Sequence, residues 1–253
     1  MYFDTHAHYD DEAFKDDAEE LLSRMPDCGI SLILNPGSNY LSSVAAADFA
    51  KRFEHVYAAA GVHPHEALSL DGACLAALKS LACEPKVKAI GEIGLDYHYD
   101  FSPREKQRSA FARQIELALE LKLPVIIHDR EAHGDCMDII RRYPGLRGVF
   151  HCYSGSPEMA AEITDMGWYL SFTGAITFKN AKKAAETIKN MPADRIMTET
   201  DAPYLAPEPF RGKRNDSRYL PYIAGVIAEI KNTSAEKIAA LTNENGRRFF
   251  GIG

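Results

Sequence analysis

Short apolar, β-branched runs recur at residues 2–5, 30–35, 56–61, 87–92, 125–128, 148–152, 168–172 and 195–200, and longer amphipathic stretches separate them. This alternation limits the fold more than any other feature of the chain. Parallel strands covered on both faces read as continuous apolar runs, and they need crossover helices between them. Eight strand–helix units predict an α/β fold, the closed TIM-type (β/α)8 barrel; an open doubly wound sheet is the alternative. The spacing of Phe111, Ile115, Leu119 and Lys122 predicts a helix whose cap and first turn come from Ser102-Pro103. Residues 220–231 and 235–250 predict two closing helices, the second capped at Thr233-Ser234, so that the barrel carries an extra C-terminal helix. The sequence contains neither GxGxxG nor GxxxxGK[ST], which removes the usual support for a nucleotide fold. At 253 residues and 46% hydrophobic content, the chain fits one such domain spanning residues 1–253.

A formal net charge of -7 argues against a protein that coats nucleic acid by bulk electrostatics, so any grip on a phosphate chain must be local. No apolar run approaches the roughly 20 residues that a membrane helix requires. The chain enters directly into Met1-Tyr2-Phe3-Asp4 without a basic-then-apolar leader, which leads to the expectation of a soluble, cytoplasmic protein. The cysteines, Cys28, Cys74, Cys83, Cys136 and Cys152, are odd in number and form no CxxC pair, a pattern that suits free thiols in a reducing compartment.

Ionisable residues collect at the C-terminal ends of the predicted strands, where barrel enzymes keep their active sites. Asp4, His6 and His8 alternate by two and so share one face of an extended segment. Two imidazoles at that spacing can hold one metal ion. Glu92 closes the fourth predicted strand, His128 the fifth and His151 the sixth, while Glu199 and Asp201 straddle the end of the eighth. Neutral imidazoles with carboxylates suit Zn2+ or Mn2+, and a central carboxylate can bridge two ions. Charged groups inside a barrel mouth are costly unless paired or ligated, which favours ligation of this set over a scatter of caps and loop side chains.

Seven segments together are highly specific: Phe-Asp-Thr-His-Ala-His (3–8), Gly-Val-His-Pro-His (61–65), Ala-Ile-Gly-Glu-Ile-Gly-Leu-Asp-Tyr (89–97), Pro-Val-Ile-Ile-His-Asp-Arg (124–130), His-Cys-Tyr-Ser-Gly (151–155), Thr-Glu-Thr-Asp-Ala-Pro-Tyr-Leu (198–205) and Arg-Gly-Lys-Arg-Asn (211–215). They run from end to end of the chain, which on them resembles the TatD family of metal-dependent deoxyribonucleases, within the amidohydrolase-like barrels. The resemblance implies two divalent ions per chain, Zn2+, Mn2+ or Mg2+. It implies that His6, His8 and Asp201 bind one ion, that His128 and His151 bind the other, and that Glu92 bridges them. It also implies deoxyribonuclease activity, often exonucleolytic; the expectation is a 3'-5' exonuclease acting on DNA that is single-stranded or has accessible ends, with no obligate protein partner. The chain departs from the family pattern at Tyr153, Asp216-Ser217 and Gly246, none of them an expected ligand.

Phosphodiester hydrolysis needs a nucleophile at neutral pH and charge neutralisation on phosphoryl oxygens, and a pair of cations supplies both through an activated water. The expected catalytic residues are Asp201, as acceptor of the water proton, Glu92 and His63. Pro64 favours an extended backbone before it and helps to aim His63, which is expected, with His65, to contact substrate. Asp96 and Tyr97 are expected in a loop beyond Glu92, in a hydrogen-bonding role. After the eighth strand, Tyr204 leads into Phe210-Arg211-Gly212-Lys213-Arg214, a basic stretch in an acidic chain. Arg211, Lys213 and Arg214 are expected to contact phosphates, with Tyr204 or Phe210 stacking on a base. The competing reading is a small-molecule amidohydrolase or deaminase with the same metal cage; Glu92, standing where many such enzymes use a modified lysine, counts against it. A Cys152 or Ser154 nucleophile would need His151 as its base, and ligation would occupy that lone pair.

Overall fold

The computed structural model describes residues 1–253, and every predicted run forms a strand. These are β1 (Tyr2–Asp4), β2 (Ile30–Pro36), β3 (Val56–Ala60), β4 (Val87–Asp96), β5 (Val125–Arg130), β6 (Gly148–Phe150), β7 (Tyr169–Phe172) and β8 (Ile196–Thr198), and the sheet order follows the chain order. A helix lies in each interval between strands: α1 (Ala18–Arg24), α2 (Tyr40–Arg52), α3 (Gly72–Leu81), α4 (Arg104–Leu121), α5 (His133–Ile140), α6 (Pro157–Asp165) and α7 (Lys182–Asn190). Two more, α8 (Leu220–Ile230) and α9 (Ala235–Phe250), follow β8. The last strand segment meets the first: Thr5 N–H donates to Thr198 O at 3.2 Å, and Ala7 forms a parallel bridge with Ala202. That junction distinguishes a (β/α)8 barrel from the open doubly wound sheet.

The chain forms two compact units, Met1–Asn35 with Cys152–Gly253, and Pro36–His151. In the first, α8 and α9 cover β1 and β8 and α6 packs on β7, with Phe3, Leu170, Phe172, Ile196, Ile223, Ile227, Phe249 and Phe250 buried. Phe3 packs on Phe250 with ring centroids 5.9 Å apart. A Cβ at Gly246 would lie 2.6 Å from the Phe3 ring, so α9 approaches β1 closely only because position 246 lacks a side chain. Ser234 accepts from Lys237 N–H and starts α9 as the capping signal predicts.

In the second unit, Ala58, Ala60, Ile90, Ile93, Val125 and Ile127 are buried on their strands, and α4, with Phe111, Ile115 and Ala118 buried, packs on β4. Two glutamines of that helix bond to strand-end backbone. Gln114 accepts from Val62 N–H at 2.7 Å and donates to Val62 O at 3.0 Å; Gln107 accepts from Asp96 N–H at 2.8 Å and donates to Asp96 O at 3.0 Å. Both side chains are buried, and each satisfies backbone groups left over where a strand ends.

Two local expectations are corrected. β4 does not end at Glu92 but continues to Asp96, pairing Gly94 with His128 and Asp96 with Arg130 on β5. Gly94 makes this possible: its φ is +144°, and a Cβ there would lie 2.0 Å from His128 O. The start of α4 also differs. Pro103 occupies the cap position in an extended conformation, with Arg104 opening the helix, while Ser102 donates to His65 O at 2.8 Å instead of capping.

Candidate metal centre

In the first unit, the segment after β1 carries His6 and His8, and the turn after β8 carries Asp201. His6 Nε2 and His8 Nε2 lie 3.0 Å apart, and Asp201 Oδ1 is 3.7 Å from the first and 3.6 Å from the second. Metal–nitrogen distances of about 2.1 Å fit a single cation facing both imidazoles and the carboxylate. Backbone bonds hold the three groups together, since Asp201 N–H donates to His6 O at 2.9 Å and His8 N–H to Ala202 O at 2.7 Å. Asp201 itself adopts the left-handed conformation, with φ at 55°, as turn residues with short polar side chains do.

Asp4 secures this turn from below. Its carboxyl accepts from Thr200 N–H at 2.9 Å and from Thr200 Oγ1 at 2.6 Å, and it is fully buried. Burial raises the Asp4 carboxyl to about 7, an effect that the hydrogen bonds from Ser217 and Thr200 only partly offset. Asn215 adds a further tie through Nδ2, donating to Thr200 O at 2.9 Å and to Tyr204 O at 2.6 Å. Glu199, buried at the end of β8, accepts from Cys152 N–H at 2.6 Å and from the Ser171 hydroxyl.

In the second unit, Glu92 of β4, His128 of β5 and His151 after β6 converge. Glu92 Oε1 lies 2.7 Å from His128 Nδ1 and 2.8 Å from His151 Nε2, and the two nitrogens are 3.2 Å apart. These are ligand-to-ligand distances suited to one cation. His63 Nε2 is 3.5 Å from the same Glu92 oxygen, and His63, Glu92 and His128 form a cluster able to hold a metal ion. His63 Nδ1 accepts from His65 N–H at 3.2 Å, which leaves the ring proton on Nε2, facing Glu92. Burial, reinforced by repulsion from His128, depresses the His63 imidazole to about 3, so the ring is neutral in ordinary buffers.

Asp96 completes this set from behind. Its Oδ2 lies 3.2 Å from His128 Nε2 and 2.8 Å from His65 Nε2, while Oδ1 accepts from His98 N–H at 3.0 Å and Tyr99 N–H at 2.9 Å. Burial alone would raise the Asp96 carboxyl, but its hydrogen bonds from His128, Tyr99 and His65 prevail and hold it well below the carboxylate range. Burial likewise opposes a charge on His128, and the bonds to Asp96 and Glu92 outweigh it to raise that imidazole. With Nε2–H directed at Asp96, His128 Nδ1 keeps its lone pair for a cation, the arrangement by which a carboxylate fixes a ligating histidine.

The remaining expected substrate residues are dispersed through side-chain contacts of their own. Tyr204 is 54% exposed, and its hydroxyl donates to Asp11 Oδ2 at 2.7 Å. Arg211 lies over the Phe178 ring at 4.4 Å and Lys213 over Phe210 at 5.7 Å. Arg214 is committed elsewhere: its guanidinium binds both oxygens of Asp17, at 2.8 and 2.6 Å, and donates to Ala13 O at 2.7 Å. Phe210 stacks on Tyr219 at 4.6 Å. Asp96 is the residue that sequence reading placed in the wrong element; its spacing of four from Glu92 across Gly94 keeps strand alternation and is the signal that could have found it.

A sequence model of the family described as TatD related DNase matches residues 3–251. The chain is 44% identical to the uncharacterized metal-dependent hydrolase YabD of Bacillus subtilis, over 100% of both chains. It is 34% identical to the 3'-5' ssDNA/RNA exonuclease TatD of Klebsiella pneumoniae, covering 99% of this chain and 98% of that one. The crystal structure of YjjV, a TatD homologue from Escherichia coli, superposes with a TM-score of 0.93 at 29% identity, covering 100% of this chain and 98% of that one. Strand order, closure of β8 on β1, imidazole–carboxylate sets on the strands or just beyond them and likeness along the whole chain therefore agree, and the protein belongs to the TatD-related DNase family of metal-dependent hydrolases.

Proposed function

We propose that the protein hydrolyses phosphodiester bonds of DNA from a 3' end, with two divalent ions, Zn2+, Mn2+ or Mg2+, held by His6, His8 and Asp201 and by His128 and His151, and with Glu92 shared between them. The observation that carries this reading is the pair of imidazole–carboxylate sets: His6 and His8 with Asp201 Oδ1 at 3.7 and 3.6 Å, and His128 and His151 with Glu92 Oε1 at 2.7 and 2.8 Å. The family match over residues 3–251, which runs through both compact units, supports treating residues 1–253 as one functional domain. The exonuclease relative supports the choice of nucleic acid and of polarity. All five cysteines are free, in keeping with a cytoplasmic setting.

Bound divalent ions supply Lewis acidity to the phosphoryl oxygens and make water acidic enough to react near neutral pH. The side chains do the rest. Asp201, beside two imidazoles and partly exposed, accepts a proton from the attacking water. His63 presents Nε2–H as a neutral donor to a phosphoryl oxygen, and its Nδ1 bond to His65 N–H keeps that tautomer. Asp96 holds the His128 ring in register. The deciding assay follows end-labelled single-stranded and duplex DNA over time with each metal and with chelator, next to a panel of cyclic amides. Stepwise loss of mononucleotides from the 3' end that stops on chelation is expected; turnover of an amide with intact DNA would reassign the enzyme.

A further inference from the structure

The loop that follows β4 carries an aromatic feature that the metal set does not use. Phe101 is 67% exposed and Tyr99 48% exposed, yet their rings stack on each other with centroids 5.3 Å apart and an interplanar angle of 26°. His65 meets Phe101 edge-on at 4.8 Å and Tyr99 at 5.5 Å. Arg130, at the end of β5, lies over the Tyr99 ring at 4.8 Å. An aromatic ring as open as Phe101 contributes little to a core, and with Tyr99 it leaves a contiguous exposed aromatic patch, the kind of surface that marks a contact site.

The feature is continuous with the metal-ligating residues. His65 Nε2 bonds to Asp96 at 2.8 Å, and Asp96 reaches His128 at 3.2 Å, so one histidine separates Phe101 from the carboxylate behind a proposed ligand. The His65 ring lies 4.8 Å from that of Phe101 and 6.3 Å from that of His128, so a single imidazole links the open ring to a proposed ligand. An exposed arginine at the edge of that platform suits the phosphate chain, and an open aromatic face suits a base of any identity.

Resting on the nuclease reading above, we propose that Phe101, backed by Tyr99 and His65, is a stacking platform for the nucleobase beside the phosphodiester being cut, with Arg130 facing the adjoining phosphate. A base inside a duplex has both faces covered by its neighbours and cannot reach such a ring. The platform therefore selects unpaired ends.

Steady-state cleavage of a single-stranded oligonucleotide tests this with wild type, Phe101→Ala and Phe101→Trp, each on intact DNA and on DNA abasic at the terminal or penultimate 3' residue. KM should rise about 5- to 100-fold in Phe101→Ala with little change in kcat, and Phe101→Trp should restore it. One of the abasic substrates should carry a similar penalty for wild type and none for Phe101→Ala. A 2-aminopurine at that position should be quenched on binding to wild type and not to Phe101→Ala. If wild type cleaves the DNA and Phe101→Ala keeps its KM, or the abasic penalty persists in that variant, the platform is overturned while the nuclease reading stands. If wild type cleaves no DNA, the nuclease reading falls and takes the platform with it.

Discussion

The two imidazole–carboxylate sets reach similar chemistry by different construction. His6, His8 and Asp201 stand beyond their strands, on segments joined to each other by backbone hydrogen bonds, with the Asp4–Thr200 contact beneath them. Glu92 and His128 stand within paired strands, and a single carboxylate, Asp96, braces His128. A site on loops depends on what pins the loops, whereas a site on strands depends mainly on what orients each side chain. The first set should therefore respond to changes in its turn, and the second to changes in one hydrogen bond.

The strongest way to break this comparison is Asp201→Asn, which keeps the shape of the turn and removes the proton acceptor. It should lower kcat on single-stranded DNA about 10²- to 10⁴-fold, while metal analysis still finds bound ions; near wild-type turnover would remove Asp201 from its role. Next comes Asp96→Ala. Metal affinity, read by chelator competition, should fall about 10- to 100-fold because His128 loses the partner of its Nε2, and an unchanged affinity would mean that strand geometry alone orients the ring.

Thr200→Val sharpens the contrast by taking one donor from a buried carboxyl. It should cost about 1–3 kcal/mol of stability, a drop of several degrees in Tm by calorimetry, and should weaken metal binding without altering the His128 side. A variant as stable as wild type would show that Ser217 and the Thr200 N–H satisfy Asp4 without the hydroxyl. The smallest effects are expected in the basic loop. Arg214→Ala should lose about 1 kcal/mol or less from its exposed pair with Asp17 and leave the salt dependence of DNA binding unchanged, whereas Arg211→Glu should flatten that dependence by about one phosphate contact. Equal salt slopes in the two variants would contradict the division of labour.

Much of this was legible in the sequence because it depends on local pattern. Apolar runs at regular intervals specify strands and the helices between them, and His6, Glu92, His128, His151 and Asp201 fall at the ends of those runs or just beyond them in the chain. Alternation from Glu92 through Gly94 to Asp96 is compatible with a longer strand, but chain periodicity alone does not tell a glycine that continues a strand from one that ends it. Asp96 was hidden for that reason: only the close approach of Gly94 to the His128 backbone lets β4 run on. Arg214 illustrates the same limit, because a basic motif looks ready for phosphate until folding brings Asp17, from a distant part of the chain, against it.

The sequence by itself determined the barrel class, since burial and periodicity act along the chain, and its seven motifs carried the likeness to the family and the residue types of the candidate site. Only the tertiary structure decided which carboxylate supports which imidazole, which arginine is already paired and which aromatic ring stays open. Those outcomes depend on distances of about 3 Å between residues far apart in sequence, where hydrogen bonds and ion pairs form or fail.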